Sequence, residues 1–213
     1  MKNHFVKILF FALIAVFALS AVSPYDRAVW RVEMTSVFAA FGLLVLTYPI
    51  FKFSNASYFI VSLWLALHAI GAHYTFERVP FDWFTQLVGA GRNHFDRLAH
   101  FVIGLNSFGA AELALRAKIA SGKKSAALFG VLFIMSLANA WELVEWLYAA
   151  ADGGEVGAAF LGSQGDVWDA QKDMLCDTLG AICAAIAFLI FYRPRGAEGG
   201  KMPLIQNFKI NLP

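Results

Sequence analysis

Six apolar runs divide the chain: Phe5–Val22, Met34–Phe51, Ser57–Tyr74, Leu98–Ala117, Ser125–Tyr148 and Met174–Tyr192. Each is close to the ~20 residues a helix needs to cross the hydrocarbon of a bilayer. The pattern predicts an all-α fold, a polytopic membrane bundle of about six transmembrane helices forming a single domain over residues 1–195. Residues 196–213, with Gly196, Gly199 and Gly200, read as a flexible tail. The first run shares two features with a cleaved signal peptide: a charged start at Lys2 and Lys7, and the small-residue stretch Ala18-Leu19-Ser20. Its apolar stretch exceeds the ~7–15 residues of a signal core, so it is expected to stay as a membrane helix. Pro80-Phe81-Asp82-Trp83-Phe84 is expected to lie along the membrane interface.

Composition strengthens the membrane assignment. The chain is 59% hydrophobic and 15% charged, against about 45–50% and 25% for a soluble domain. A net charge of +2 with no basic patch excludes a nucleic-acid partner. Cys176 and Cys183, on one helix, lie about 10.5 Å apart along its axis, too far to bridge. Orientation follows from the basic residues. Lys7, Lys52, Arg116, Lys123, Lys124 and Arg193 gather at one end, which is predicted to be cytoplasmic together with both termini. Nearly all carboxylates gather at the other end, Glu112 and Glu198 excepted. Trp30, Trp83, Trp146 and Trp168 fall near that outer boundary, as an interfacial belt would.

Charge changes the picture again inside the helices. His68, His73 and Glu77 occupy the third segment, and RNHFDRLAHF opens the fourth with Asp96 and His100 one turn apart. WELVEW gives the fifth Glu142 and Glu145, and the sixth begins with Asp173 and Asp177. Counting 1.5 Å per residue brings these four helices' His and carboxylate groups to a similar level near the outer face. Ionisable groups in a bilayer cost roughly 2.5–3.5 kcal/mol each on insertion scales, so such a set marks a site. His68, His73, Asp96, His100 and Asp173 are the expected ligands of a divalent metal, Zn²⁺ or similar. Glu142, Glu145 and Asp177 are the expected catalytic, proton-handling groups. Asp96 and Asp173 can also serve as helix caps, and Arg92 and Arg97 as structural ion-pair partners. Asp166 and Asp169 are expected to be solvated or to cap the sixth helix. Gly71, Ala72 and Gly104 read as close-packing positions between helices.

No HExxH, Walker-type loop, GxSxG or CxxCH occurs. The blocks HAIGAHYTFERVPF, RNHFDRLAHF, WELVEW and FLGSQGDVWDAQKDMLCDTLGA together resemble the YjdF-type family of bacterial inner-membrane proteins, catalogued as a domain of unknown function. The resemblance runs to about Phe191 and implies a multi-pass protein of the bacterial inner membrane, with no activity attached. A looser likeness is to VanZ-like membrane proteins, through Asp96, His100-Phe101, Glu142, Asp173, Asp177 and Gly180. Here Asp177 stands where those proteins tend to have Asn, and His68 and His73 are additional. Three functions follow from the polar set. An enzyme would use metal-assisted or acid–base chemistry on a lipid or envelope substrate at the outer leaflet. A proton-coupled transporter would use the same acids as a relay, and a membrane scaffold would use them to fix helix register. Membrane lipids are the expected surroundings, and the sequence carries no signal of oligomeric state.

Overall fold

A computed structural model describes residues 4–87, 89, 91–152 and 163–193. The tail expected at 196–213 lies outside them. The described residues form eight α-helices: α1 (His4–Ser20), α2 (Arg27–Thr47), α3 (Asn55–Tyr74), α4 (Asp82–Leu87), α5 (Phe95–Gly104), α6 (Ser107–Arg116), α7 (Lys123–Asp152) and α8 (Asp169–Phe191). Five spans are long and apolar enough to cross a membrane, α5 and α6 counting together as one, and α1 is a shorter apolar helix. The α5–α6 break falls at Leu105–Asn106, where the Asn106 side chain turns back to donate to the Ile103 carbonyl.

The helices outrun the apolar segments at their charged ends, and local chemistry explains each extension. Asp26 accepts from the backbone N–H groups of Ala28 and Val29, so α2 starts seven residues before Met34. Arg27 donates to the Ala21 carbonyl at 2.8 Å, closing the α1–α2 turn. At the basic end Glu112 caps α3 from a distance. Its carboxylate accepts from Ser54 N, the Ser57 hydroxyl and Arg116. That satisfies a helix start within a bilayer boundary, where a bare N–H would be costly.

Packing divides the bundle into two lobes joined by α5. Leu13, Phe17, Met34, Val37, Leu65 and Ala69 knit α1, α2 and α3 together. Phe108, Ala111, Ala126, Ala184 and Phe188 knit α6, α7 and α8. Helix α5 packs against α3 on one side and α8 on the other. Lipid tails are as apolar as leucine, so these contacts depend on close fit rather than on water exclusion. The tightest is the α5–α8 crossing, where Gly104 and Gly180 face each other. A Cβ on Gly180 would strike the Phe101 carbonyl oxygen, and one on Gly104 the Asp177 carbonyl oxygen. Gly71 serves differently. Thr75 and Phe76 adopt left-handed backbone angles after α3, folding the Phe76 ring back into the space a side chain at 71 would fill.

Three of the four belt tryptophans, Trp83, Trp146 and Trp168, are exposed, whereas Trp30 is part-buried and reaches the Ser20 hydroxyl. Pro80–Phe84 opens α4, and Phe81 is buried against Val79 and Phe95 instead of lying free on the surface.

Candidate functional site

The α5–α8 crossing sets the geometry of the polar cluster. His100 lies one turn before Gly104 and Asp177 three residues before Gly180, so backbone contact brings the two side chains together. His100 Nδ1 donates to Asp177 Oδ2 at 3.1 Å. Asp177 is 1% exposed, and its Oδ1 has no partner among the described residues. The other ring nitrogen, Nε2, lies on the far side, 3.7 Å from Asp96 Oδ1 and 3.7 Å from Asp173 Oδ1. Two carboxylates brought this close to one imidazole favour positive charge among them, which a proton on the ring, the Arg97 guanidinium or a metal ion can supply.

Around this centre runs a charged collar. Arg97 binds Asp173 and Asp169, with Asp166 at 3.5 Å and Asp96 at 3.7 Å. Arg92 reaches Asp166 at 2.9 Å and Asp169 at 3.1 Å, and Lys172 reaches Asp166 at 2.6 Å. The hydrogen bond from Lys172 holds the Asp166 carboxyl below the usual carboxylate range. Asp169 is 6% exposed, so the expectation of a solvated side chain is corrected. Two arginines draw it inward as a bridge between α8 and the chain leading into α5. Five carboxylates (96, 166, 169, 173 and 177) meet three cations (92, 97 and 172), leaving two negative charges in excess when His100 is neutral.

A cavity of about 530 Å³ opens beside the cluster. Asp96, His100 and Asp173 form one wall, and Glu33 and His68 the opposite one. His68 Nε2 donates to Glu33 Oε2 at 3.0 Å, and both residues are buried. Trp64, Phe76 and Trp141 pack edge-on around the His68 ring. Glu145 of α7 lines the same cavity and lies within electrostatic reach of both His100 and Glu33. Glu142 lies one face round, within reach of His100, Asp173, Asp177 and Asp96. Among the described residues neither Glu142 nor Glu145 makes a hydrogen bond or ion pair. Carboxyls on a membrane helix normally pair or border a water-filled space.

Of the residues singled out from sequence, the structure thus brings together Asp96, His100, Asp173 and Asp177, with Glu142 and Glu145 beside them. His68 stands across the cavity with Glu33. His73 stands apart, its Nδ1 donating to the Ser20 carbonyl at 2.9 Å and closing the end of α1. Glu33 was not expected. It precedes the second apolar run and reads as loop by hydropathy, yet it lies one turn from buried Val37 on the same helical face.

The fold and site define a multi-pass helical membrane protein with a buried His–carboxylate cluster at the acidic end of the bundle. Residues 5–194 match the family described as Predicted membrane protein (DUF2238), and the chain belongs to that family. It is 31% identical over 182 residues to the inner membrane protein YjdF of Escherichia coli (strain K12), covering 84% of this chain and 87% of that protein. It is accordingly a multi-pass inner-membrane protein, as the YjdF-type resemblance implied. These matches add nothing to the VanZ-like likeness. No solved structure matches the chain.

Proposed function

We propose that this protein is a membrane enzyme, a hydrolase or transferase that uses a divalent metal, Zn²⁺ or similar, on a lipid or envelope substrate. With the orientation its basic residues predict, the site faces the outer leaflet. Asp96, His100 and Asp173 are the proposed ligands. Their nearest donor atoms lie within 4.8 Å of one another. Tetrahedral bonds of about 2.0–2.2 Å would separate ligand atoms by about 3.3–3.5 Å, a small adjustment from 3.7 Å. Asp177 is proposed to orient His100, as carboxylates behind metal-binding imidazoles do. A bound ion would supply Lewis acidity, and Glu142 and Glu145, without a hydrogen bond or ion pair among the described residues, are the proposed proton acceptors and donors.

The observation that carries this reading is His100 Nε2 lying 3.7 Å from a carboxylate oxygen of both Asp96 and Asp173, in a collar where five carboxylates meet three Arg and Lys cations. A proton on Nε2 would answer the same electrostatics, so metal analysis separates the two. Protein purified without chelator should hold about one transition-metal ion per chain, and His100→Ala should lose it. A trace below a tenth of an ion per chain in both proteins would overturn the metal. The transport reading finds less support, because below His100 the bundle is filled by Phe108, Ala111, Ala184 and Phe188. No polar passage crosses that layer among the described residues.

A further inference from the structure

The cavity wall opposite the proposed metal ligands has a chemistry of its own. Glu33 brings one carboxylate to it and Glu145 of α7 brings a second to the same cavity, against the single imidazole of His68. Among the described residues the one arginine lining the cavity, Arg78, is already engaged by Glu77 at 3.2 Å and by the Tyr25 ring at 4.1 Å. Trp64 and Trp141 line the same wall. Glu145, with no ion pair among the described residues, and Glu33, which shares only the His68 imidazole, lie beside aromatic rings and favour an organic cation, which the ring quadrupole and the carboxylates attract together.

The rest of the cavity is apolar in an ordered way. Along α7 its lining runs from Leu137 through Val144 to Glu145, eight residues or about 12 Å of helix. On α5 it runs from Ile103 to His100 and Asp96. One end therefore suits a tail and the other a head group. Among the described residues α2 and α7, which flank the cavity, share no packed interface. At about 530 Å³ the space falls in the range of small-molecule sites.

We propose that this cavity binds an amphiphile carrying a protonated primary amine, with the ammonium against Glu145 and Glu33 and the tail along Val144, Leu137 and Ile103. The proposal rests on the reading of the same cavity as a reaction chamber, and it names the substrate class. Its test is native mass spectrometry of the full chain in neutral detergent with EDTA present. The probes are dodecylamine, dodecanol, dodecyl sulfate and water-soluble ethanolamine. Dodecylamine should bind at one site at least tenfold more tightly than the other three. Glu145→Gln, which keeps the shape and removes the acid that can pair with an ammonium, should weaken it about tenfold without affecting dodecanol.

Equal affinity for dodecylamine and dodecanol would overturn the amine, and equal affinity for ethanolamine would overturn the amphiphile. Full dodecylamine binding by Glu145→Gln would overturn the assigned wall. The wild-type comparison across head groups stands even if that variant fails to fold. Because chelator is present, amine binding and metal content fail separately. A metal-bearing protein indifferent to dodecylamine sinks this inference alone, and an amine-binding protein without metal sinks only the metal.

Discussion

Replacing Gly104 by alanine tests whether the α5–α8 crossing holds the site together. The new Cβ would meet Ala181 N and Gly180 Cα at 2.9 Å each, and the Asp177 carbonyl oxygen closer still. All three are backbone atoms, so no side-chain rotation relieves the clash. Carbon contacts rest at about 3.5–4.0 Å, which requires α8 to withdraw by about 1 Å. Over-packing of this kind costs about 1–3 kcal/mol. The same shift would stretch the 3.1 Å His100–Asp177 hydrogen bond to about 4 Å, beyond bonding range. Thermal unfolding in detergent should therefore show Gly104→Ala clearly destabilised. Gly42→Ala, with nothing within 4 Å of its added Cβ, should be neutral or stabilising by up to ~1 kcal/mol. A Gly104→Ala protein melting with the wild type, or losing no more than Gly42→Ala, would refute the argument.

Glu33→Ala would strand a buried imidazole and should cost about 3–5 kcal/mol in denaturant unfolding, whereas Glu33→Gln keeps an acceptor and should lose less than half of that. Equal losses would mean the pair is not what holds α2 to α3. Glu112→Ala removes the acceptor of Ser54 N, the Ser57 hydroxyl and Arg116, and should cost about 2–3 kcal/mol. Retained stability there would show that water satisfies the start of α3. The Asp166 carboxyl, held low by Lys172, contributes stability above about pH 4 that is lost as pH falls through its folded value. Asp166→Asn should thus melt below the wild type at pH 7, with the gap closing toward pH 3; a pH-independent gap would contradict the ion pair.

Much of this protein was legible in one dimension. A helix crossing a bilayer must satisfy its backbone internally and present apolar side chains, so hydropathy alone exposes the five long spans and the shorter apolar α1. The cost of intramembrane charge likewise marked His100, Asp96, Asp173 and Asp177, because a chain does not keep such groups there without partners. Hydropathy could not say where helices begin among charged residues. That depended on Asp26 capping α2 locally, and on Arg92 and Arg97 neutralising Asp169 from far away in sequence. The same limit separated His68 from His73, five residues apart on one helix. A turn of α3 aims one at Glu33 within the cavity and the other at the Ser20 carbonyl. Composition set what must be buried. The backbone contact at Gly104 and Gly180 decided which buried groups meet, because only helices that touch can bring one imidazole to face two carboxylates.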